Sequence, residues 1–354
     1  MSSTQNKFPS ASREDWHALV SAALKGGNPQ SLDRLDEDGL AIKALYDVAS
    51  YALASPDACA ITRLPVNPAS HIAHGWDICQ PVMAEGSAKD INRLILDELH
   101  DGVGTIWLQG LQTSDLADHL PAMMQDVVFA AAGIHLDAGN DVMAQIAAFV
   151  GFAKKADTNL AASRFHANID PFAPAADADL LASALAYFVS ADAGDVPPDM
   201  FRAQGWQWHN QGMTAVQEIA YILASLTEIL RQGVARDIDP ARLAKHMSAS
   251  LALPADLFEG IAKCRALRRG WGGIIRALGL DPDSHRLCIH GAVSIRMFST
   301  VDSEVNMLRT TTALLGGAIG GADQLSAHAH NCLTGDDLLG RRLARMQQHL
   351  LIDE

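Results

Sequence analysis

The sequence has few positive charges and no basic block. Of its 354 residues, 27 are Lys or Arg and 41 are Asp or Glu, which gives a formal net charge of −14. Binding to nucleic acid needs clustered basic side chains that neutralise phosphates, so this class of partner is excluded. With 49% hydrophobic and 19% charged residues, the composition is that of a globular protein.

Long apolar runs and paired cysteines are also missing. No stretch reaches the roughly 18–20 apolar residues that span a bilayer, and the start, MSSTQNKFPSASREDW, has no apolar signal-peptide core. We therefore expect a soluble, cytoplasmic chain with no membrane partner. The cysteines are odd in number and contain no C-x-x-C pair, so we expect reduced thiols rather than disulfides or structural zinc at Cys59, Cys79, Cys264, Cys288 and Cys332.

A Gly-rich phosphate turn of the G-x-G-x-x-G type is absent after the first predicted strand. This absence disfavours a doubly wound sheet, which stays open as the alternative fold. What the sequence does contain is a repeat of short apolar strands and amphipathic helices over about 260 residues, the size of a (β/α)8 barrel. The strands are predicted at residues 74–80, 103–108, 127–133, 165–169, 200–207, 246–252, 287–290 and 324–328. The intervening helices include predicted ones at residues 88–100 and 305–317. We expect a TIM barrel over residues 71–354, preceded by a helical N-terminal extension over residues 1–70 with a helix at 14–25.

Polar residues that follow barrel strands are candidates for chemistry, because barrel sites form at the C-terminal ends of strands. Two alternations place side chains two residues apart: His328 with His330, and His166 with Asn168 and Asp170. On a strand such pairs share a face and can seat a metal. Neither alternation is accompanied by a Lys or Glu that would activate water. The favoured interpretation is therefore that these histidines lie at strand ends and are hydrogen-bonded within the protein. No G-x-S-x-G elbow marks a serine nucleophile.

The helix predicted at residues 255–278 carries the densest positive charge in the chain, at Lys263, Arg265, Arg268, Arg269 and Arg276. Two interpretations stay open. These residues form either a solvated outer face or a patch that contacts an anionic ligand or a partner subunit.

Four ordered segments carry a resemblance to a known family. They are GWDICQ at 75–80, GWQWHNQGMTAVQEIAYILA at 205–224, AKCRALRRGW at 262–271, and VNMLRTT with GGADQL between 305 and 325. Together they resemble the adenosylcobalamin-dependent methylmalonyl-CoA mutase family, in particular its small, or β, subunit type. The resemblance implies a (β/α)8 barrel and a place in the isomerisation of methylmalonyl-CoA to succinyl-CoA.

Departures from the family pattern fall in the expected substrate pocket. Gln207 stands where catalytic subunits have a histidine that hydrogen-bonds the thioester carbonyl, and Ala292 stands where they have a substrate-contacting glutamine. Glutamine cannot carry the proton of an imidazolium, so the resemblance implies weakened or lost catalysis. The pocket that it implies is degenerate and consists of Trp206, Gln207, Asn210, His290, Ala292 and Ser294.

The family's cobalt-ligating D-x-H-x-x-G motif has no counterpart here. The resemblance therefore implies that the chain is without the C-terminal cobalamin-binding, flavodoxin-like domain. It also implies that the chain binds no cofactor alone. It further implies a heterodimer with a full-length, cobalamin-binding mutase subunit that carries adenosylcobalamin. In that complex Lys263, Arg265 and Arg268 would contact the partner or an acyl-CoA.

Three alternatives stay open at this point. In the first alternative, the chain is the barrel of a split acyl-CoA mutase that works with a separate cobalamin-binding chain. In the second, it is a stand-alone acyl-CoA-binding protein. The third alternative is a metal-dependent barrel hydrolase that uses His328, His330 and His290.

Overall fold

The computed structural model describes residues 11–47, 75–111, 116–136, 141–156, 163–173, 176–335 and 337–354. Two compact units are present, residues 1–58 and residues 59–354, and each is described by itself. The predicted boundary between residues 70 and 71 lies outside the described residues, as does Cys59.

The first unit contains one helix and a minimal hairpin. Helix α1 (Arg13–Ala23) begins at a capping box formed by Ser12 and Asp15, and it confirms the helix predicted at 14–25. A 3-10 turn follows, and strands β1 (Arg34–Leu35) and β2 (Ala41–Ile42) pair antiparallel. Pro29 is the only buried residue among residues 11–47, so this part of the chain has almost no core of its own.

The second unit contains a closed barrel of eight parallel strands, which confirms the predicted fold. The barrel order is β10-β3-β4-β5-β6-β7-β8-β9. The strands are β3 (Asp77–Met83), β4 (Thr105–Gln109), β5 (Gly133–Leu136), β6 (Arg164–Ile169), β7 (Asp199–Gln204), β8 (Met247–Leu253), β9 (Cys288–Val293) and β10 (Gln324–Ser326).

The helices alternate with these strands, and several begin where a side chain caps their free N–H groups. Ser87 caps the helix Ala88–His100 and Thr214 caps the helix Ala215–Val234, each within a capping box. After α1, the helices are α2 (Ala88–His100), α3 (Leu116–Met123), α4 (Val142–Lys155), α5 (Leu180–Ser190), α6 (Gly205–Asn210), α7 (Ala215–Val234), α8 (Pro240–Ala244), α9 (Leu257–Ala277), α10 (Val305–Gly320) and α11 (Leu338–Asp353). In the described part of the chain, no helix combines the length and the apolar character needed to cross a membrane.

The third predicted strand is wrong in its position. The segment 127–133 was expected to be extended, but the strand is Gly133–Leu136. Val127 and Phe129 are buried while Val128 is 64% exposed, an alternation that imitates a strand. The backbone instead turns, since the amides of Ala131 and Ala132 both donate to the carbonyl of Val128.

Alternation along the strands separates an apolar shell from a polar barrel centre. In β8 the main core contains Met247, Ala249, Leu251 and Leu253, whereas the intervening Ser248 contacts a side chain inside the barrel. The last helix then closes the unit, because Arg345 of α11 pairs with Glu98 and Asp101 at the end of α2. Trp76 Nε1 also donates to Gln348 Oε1 at 3.0 Å.

Candidate functional site

A buried arginine occupies the centre of the barrel. Arg202 of β7 is 1% exposed, and its Nε donates to Ser248 Oγ at 2.9 Å. Its Nη1 lies 3.0 Å from His135 Nδ1 and 3.4 Å from His290 Nδ1, and its Nη2 lies 3.6 Å from Asp199. A buried guanidinium needs acceptors because water is excluded, and three different strands supply them, while Asp199 of β7 contributes an ion pair.

The histidines around Arg202 are engaged with the barrel itself. His290 Nε2 lies 2.6 Å from Ser326 Oγ, and His166 Nδ1 lies 2.6 Å from Asp199. Burial and the nearby Arg202 cation hold the pKa values of His135 and His290 well below the usual histidine value, so both imidazoles are neutral. The barrel centre is therefore a buried polar network, in which His135 Nε2, His166 Nε2 and Arg202 Nη2 have no hydrogen-bond partner among the described residues.

Aromatic rings fill the level above this network. Trp107 lies edge-on to Trp206 and to His328, with ring centroids 5.3 and 5.9 Å apart, and Trp206 stacks on His328 at 5.7 Å. Trp206 Nε1 donates to the carbonyl of Val293 at 3.2 Å. Burial lowers the pKa of His328 to about 4, so this ring is also neutral.

The structure brings some of the six predicted pocket residues together and separates others. Trp206, Gln207 and Asn210 were expected at the end of a strand over residues 200–207, but β7 ends at Gln204 and they lie on the short helix α6. Ser294 Oγ, just after β9, lies 3.4 Å from Asn210 Oδ1, and Trp206 packs against the cluster that contains Ala292. By contrast, His290 lies in the central network with Arg202 and Ser326. Gln207 Nε2 points to Gln204 Oε1 at 3.5 Å.

The predicted basic face on α9 is smaller than expected. Lys263 and Arg268 are 1% and 4% exposed, so neither can belong to an outer contact face as predicted. Arg268 donates to two backbone carbonyls and to Asp323, whereas Arg265 is exposed. The basic residues do lie on one helix as predicted. Their spacing along it does not reveal which of their side chains have hydrogen-bond acceptors in the interior.

Sequence reasoning missed a polar chain beneath α6. Lys263 donates to Glu218 Oε2 and, at 2.7 Å, to the carbonyl of Ala252, whose amide donates to Glu218 Oε1. His209 Nδ1 lies 3.4 Å from Glu218 Oε2, and His209 Nε2 lies 3.1 Å from Ser294 Oγ. Burial alone would raise the pKa of Glu218, but Lys263 and His209 hold that pKa below its usual value. No local motif predicts this polar chain, because Lys263 and Glu218 are 45 residues apart in sequence and His209 and Ser294 are 85 apart.

The two alternations considered for metal binding do not form ligand sets. Asn168 has a φ of 55° at a register shift in β6, which breaks the period of two that would align His166 with Asp170. Since β10 ends at Ser326, His328 and His330 lie beyond the strand. Among the residues that the structure describes, no three His, Cys, Asp or Glu side chains converge as metal ligands.

The imidazoles at the barrel mouth also do not fit the role of a lower cobalt ligand. His209 is 6% exposed and contacts Ser294, and His290 is 2% exposed and contacts Ser326. His328 is stacked on Trp206. A cobalamin ring cannot approach rings that are covered in this way, so no reaction step through that cofactor is assigned to this mouth.

Comparison with known proteins gives a consistent result. The family model described as methylmalonyl-CoA mutase matches residues 171–354. The probable methylmalonyl-CoA mutase small subunit of Mycobacterium tuberculosis is 28% identical over 94% of this chain and 56% of that protein. The corresponding values for the methylmalonyl-CoA mutase small subunit of Streptomyces virginiae are 29%, 98% and 58%.

The chain thus spans a little over half the length of these curated relatives. The mitochondrial methylmalonyl-CoA mutase of Bos taurus is 23% identical over 96% of this chain and 50% of that protein. Among solved structures, a Yersinia pestis DHPS aligns with a TM-score of 0.44 at 11% identity, covering 78% of this chain and 94% of that one.

Proposed function

We propose that this chain, which belongs to the methylmalonyl-CoA mutase family, is a small-subunit-type barrel that does not isomerise acyl-CoA by itself. In this proposal it assembles with a full-length mutase chain that binds adenosylcobalamin and converts methylmalonyl-CoA to succinyl-CoA. One observation carries the proposal: the barrel centre is filled by Arg202 and its histidines, and Trp107, Trp206 and His328 fill the level above. A substrate has no room where these side chains stand.

The chemistry at the mouth supports the same conclusion. Gln207 replaces the imidazole that the family resemblance places there, and its amide is directed to Gln204. Losing one transition-state hydrogen-bond donor costs about 10²–10³ in rate. Ala292 removes a second polar contact, since a methyl group can neither donate nor accept.

The first unit supports a role in assembly. Leu19, Leu35 and Tyr46 are 72%, 71% and 61% exposed, although they are large apolar side chains in a short segment. Ordering such a segment costs conformational entropy that burial normally offsets. We propose that residues 1–70 are an extension whose apolar side chains are covered in the complex.

Co-expression with a cobalamin-binding mutase chain from the same host tests the proposal. We expect the two chains to co-elute in size exclusion as a heterodimer and to convert methylmalonyl-CoA to succinyl-CoA. The chain alone, supplied with adenosylcobalamin, should show no turnover. Absence of a complex, together with mutase activity that does not change when this chain is omitted, would reject the small-subunit role.

Restoring the missing imidazole should not create a mutase. We expect Gln207→His alone, supplied with adenosylcobalamin, to stay without detectable isomerisation, because Arg202 and the aromatic rings still fill the barrel. The measurement is succinyl-CoA formation by chromatography, with Gln211→His on the exposed turn after α6 as a matched control. Turnover by Gln207→His and not by Gln211→His would show that the pocket is open and that the proposal is wrong.

A further inference from the structure

The polar chain beneath α6 contains a serine, a histidine and a carboxylate in line. Ser294 Oγ lies 3.1 Å from His209 Nε2, and His209 Nδ1 lies 3.4 Å from Glu218 Oε2. All three lie at the C-terminal end of the barrel: Ser294 follows β9, His209 is on α6 directly after β7, and Glu218 is in the first turn of α7. Nucleophile, base and orienting carboxylate in this order are the arrangement of covalent acyl transfer.

The charge on Glu218 suits that role. Glu218 is fully buried, and Lys263 and the Ala252 amide donate to its two oxygens, so it is held as a carboxylate. Its Oε2 faces His209 Nδ1 at 3.4 Å, a contact too poorly aligned for a hydrogen bond, and Nδ1 is otherwise unpartnered in the described part of the chain. The opposite ring nitrogen, Nε2, lies within hydrogen-bond distance of Ser294 Oγ, which is where a general base for that hydroxyl must stand.

Asn210 adds a separate observation that points to a ligand. Its Oδ1 lies 3.4 Å from Ser294 Oγ, while its Nδ2 is buried and has no hydrogen-bond partner. A buried amide donor without an acceptor costs free energy unless something binds it. An Asn side chain next to a nucleophile is one of the donors that stabilise the negative oxygen formed during acyl transfer.

The surroundings select the acyl group. Trp206 donates to the carbonyl of Val293, the residue before Ser294, and packs against the cluster of Cys79, Trp107 and Ala292. This apolar wall fits a short aliphatic acyl chain, whereas the nearby Arg296 is engaged with the carbonyl of His209. Ser294 itself is 2% exposed, so the side chains around it must shift to admit even a small ester, and we expect slow turnover.

We propose that Ser294, His209 and Glu218 form an acyl-transfer site that hydrolyses small activated esters and thioesters, independently of any mutase role. Ser294 Oγ forms a bond to the acyl carbon while its proton passes to His209 Nε2, and the bond from that carbon to the leaving oxygen or sulfur breaks. His209 returns the proton to the leaving group. Water, deprotonated by His209, then attacks the acyl-serine and releases the carboxylic acid and free Ser294, so one ester and one water give one acid and one alcohol or thiol.

A fluorophosphonate probe tests this directly on the full chain. Attack by Ser294 Oγ on phosphorus expels fluoride, so peptide mass spectrometry should find the adduct on Ser294 of the wild-type protein. Ser294→Ala should abolish the adduct, and His209→Gln should slow labelling by about 10²–10⁴, because the general base is gone. Hydrolysis of p-nitrophenyl acetate should fall in parallel in both variants.

Ser250→Ala is the matched control, because Ser250 Oγ is equally buried in the barrel but has no hydrogen-bond partner. This variant should label like wild type. No Ser294 adduct on folded wild-type protein after prolonged exposure would overturn the proposal, and that result needs no variant to fold. Labelling of Ser294 at the same rate in His209→Gln would equally overturn it, since the serine would then be reactive without its base. Both outcomes are independent of complex formation with a mutase chain.

Discussion

Lowering the pH from 6.5 to 5 is expected to reduce the free energy of unfolding of the barrel by several kcal/mol through its buried histidines. His135, His166, His290 and His328 each have a pKa below the usual value in the folded state, mainly because of burial. The unfolded chain therefore binds protons first as the pH falls below about 6.5, and stability is lost at up to about 1.4 kcal/mol per pH unit for each of these groups. Such a loss is comparable with the whole stability of a typical domain.

Two buried carboxyl groups act in the opposite direction. Burial raises the pKa of Asp170 and of Glu98, so their protonation favours the folded state in acid. Urea unfolding followed by Trp fluorescence at pH 7.5, 6.5, 5.5 and 5.0 measures the net effect. His328→Gln removes one of the four groups and should reduce the slope by about one quarter. A pH slope that is the same in His328→Gln and in the wild-type protein would contradict the assignment of a neutral, buried imidazole at His328.

Breaking the Lys263–Glu218 pair is expected to destabilise the barrel by about 3–5 kcal/mol. The side chains are 1% and 0% exposed, so Glu218→Gln leaves a buried ammonium without its counter-charge. Lys263→Met leaves a buried carboxylate that keeps only the Ala252 amide and His209. The double variant Glu218→Gln/Lys263→Met should recover at least half of the loss, because neither charge is then buried alone.

The matched control is Arg265→Met on the same helix. Arg265 is exposed, so this change should alter the free energy of unfolding by no more than about 0.5 kcal/mol. Chemical denaturation of all four variants provides the comparison. If Lys263→Met were as stable as Arg265→Met and lost only the ability to form a complex, Lys263 would be a partner contact and its pairing with Glu218 would be unimportant.

The sequence predicts the repeating parts of this fold well. The helix predicted at 88–100 is α2 without any displacement, because a Ser-x-x-Asp cap and an apolar period near 3.6 define both its start and its buried side. The helix predicted at 305–317 begins at Val305 as expected but continues to Gly320. Periodicity works here because it depends only on near neighbours in the chain.

Long-range pairs explain what the sequence did not reveal. Lys263 looks like part of a basic surface until Glu218, which lies 45 residues earlier, is placed next to it. Ser294 has no G-x-S-x-G motif around it, and its histidine is 85 residues away. The strand predicted at 127–133 is wrong for a different reason. Its alternating burial belongs to a turn, and alternation alone does not distinguish a turn from a strand.

The contacts that close the barrel have a consequence for how the chain folds. Trp76 and Gln348, which are hydrogen-bonded, are 272 positions apart, and Arg345 and Glu98 are 247 apart. Contacts of such separation cannot form until α11 has been synthesised, and each closes a very long loop at an entropic cost. Before β10 has been synthesised, β3 and β9 each lack one neighbouring strand, and these two unpaired edges are open to wrong pairing in the nascent chain.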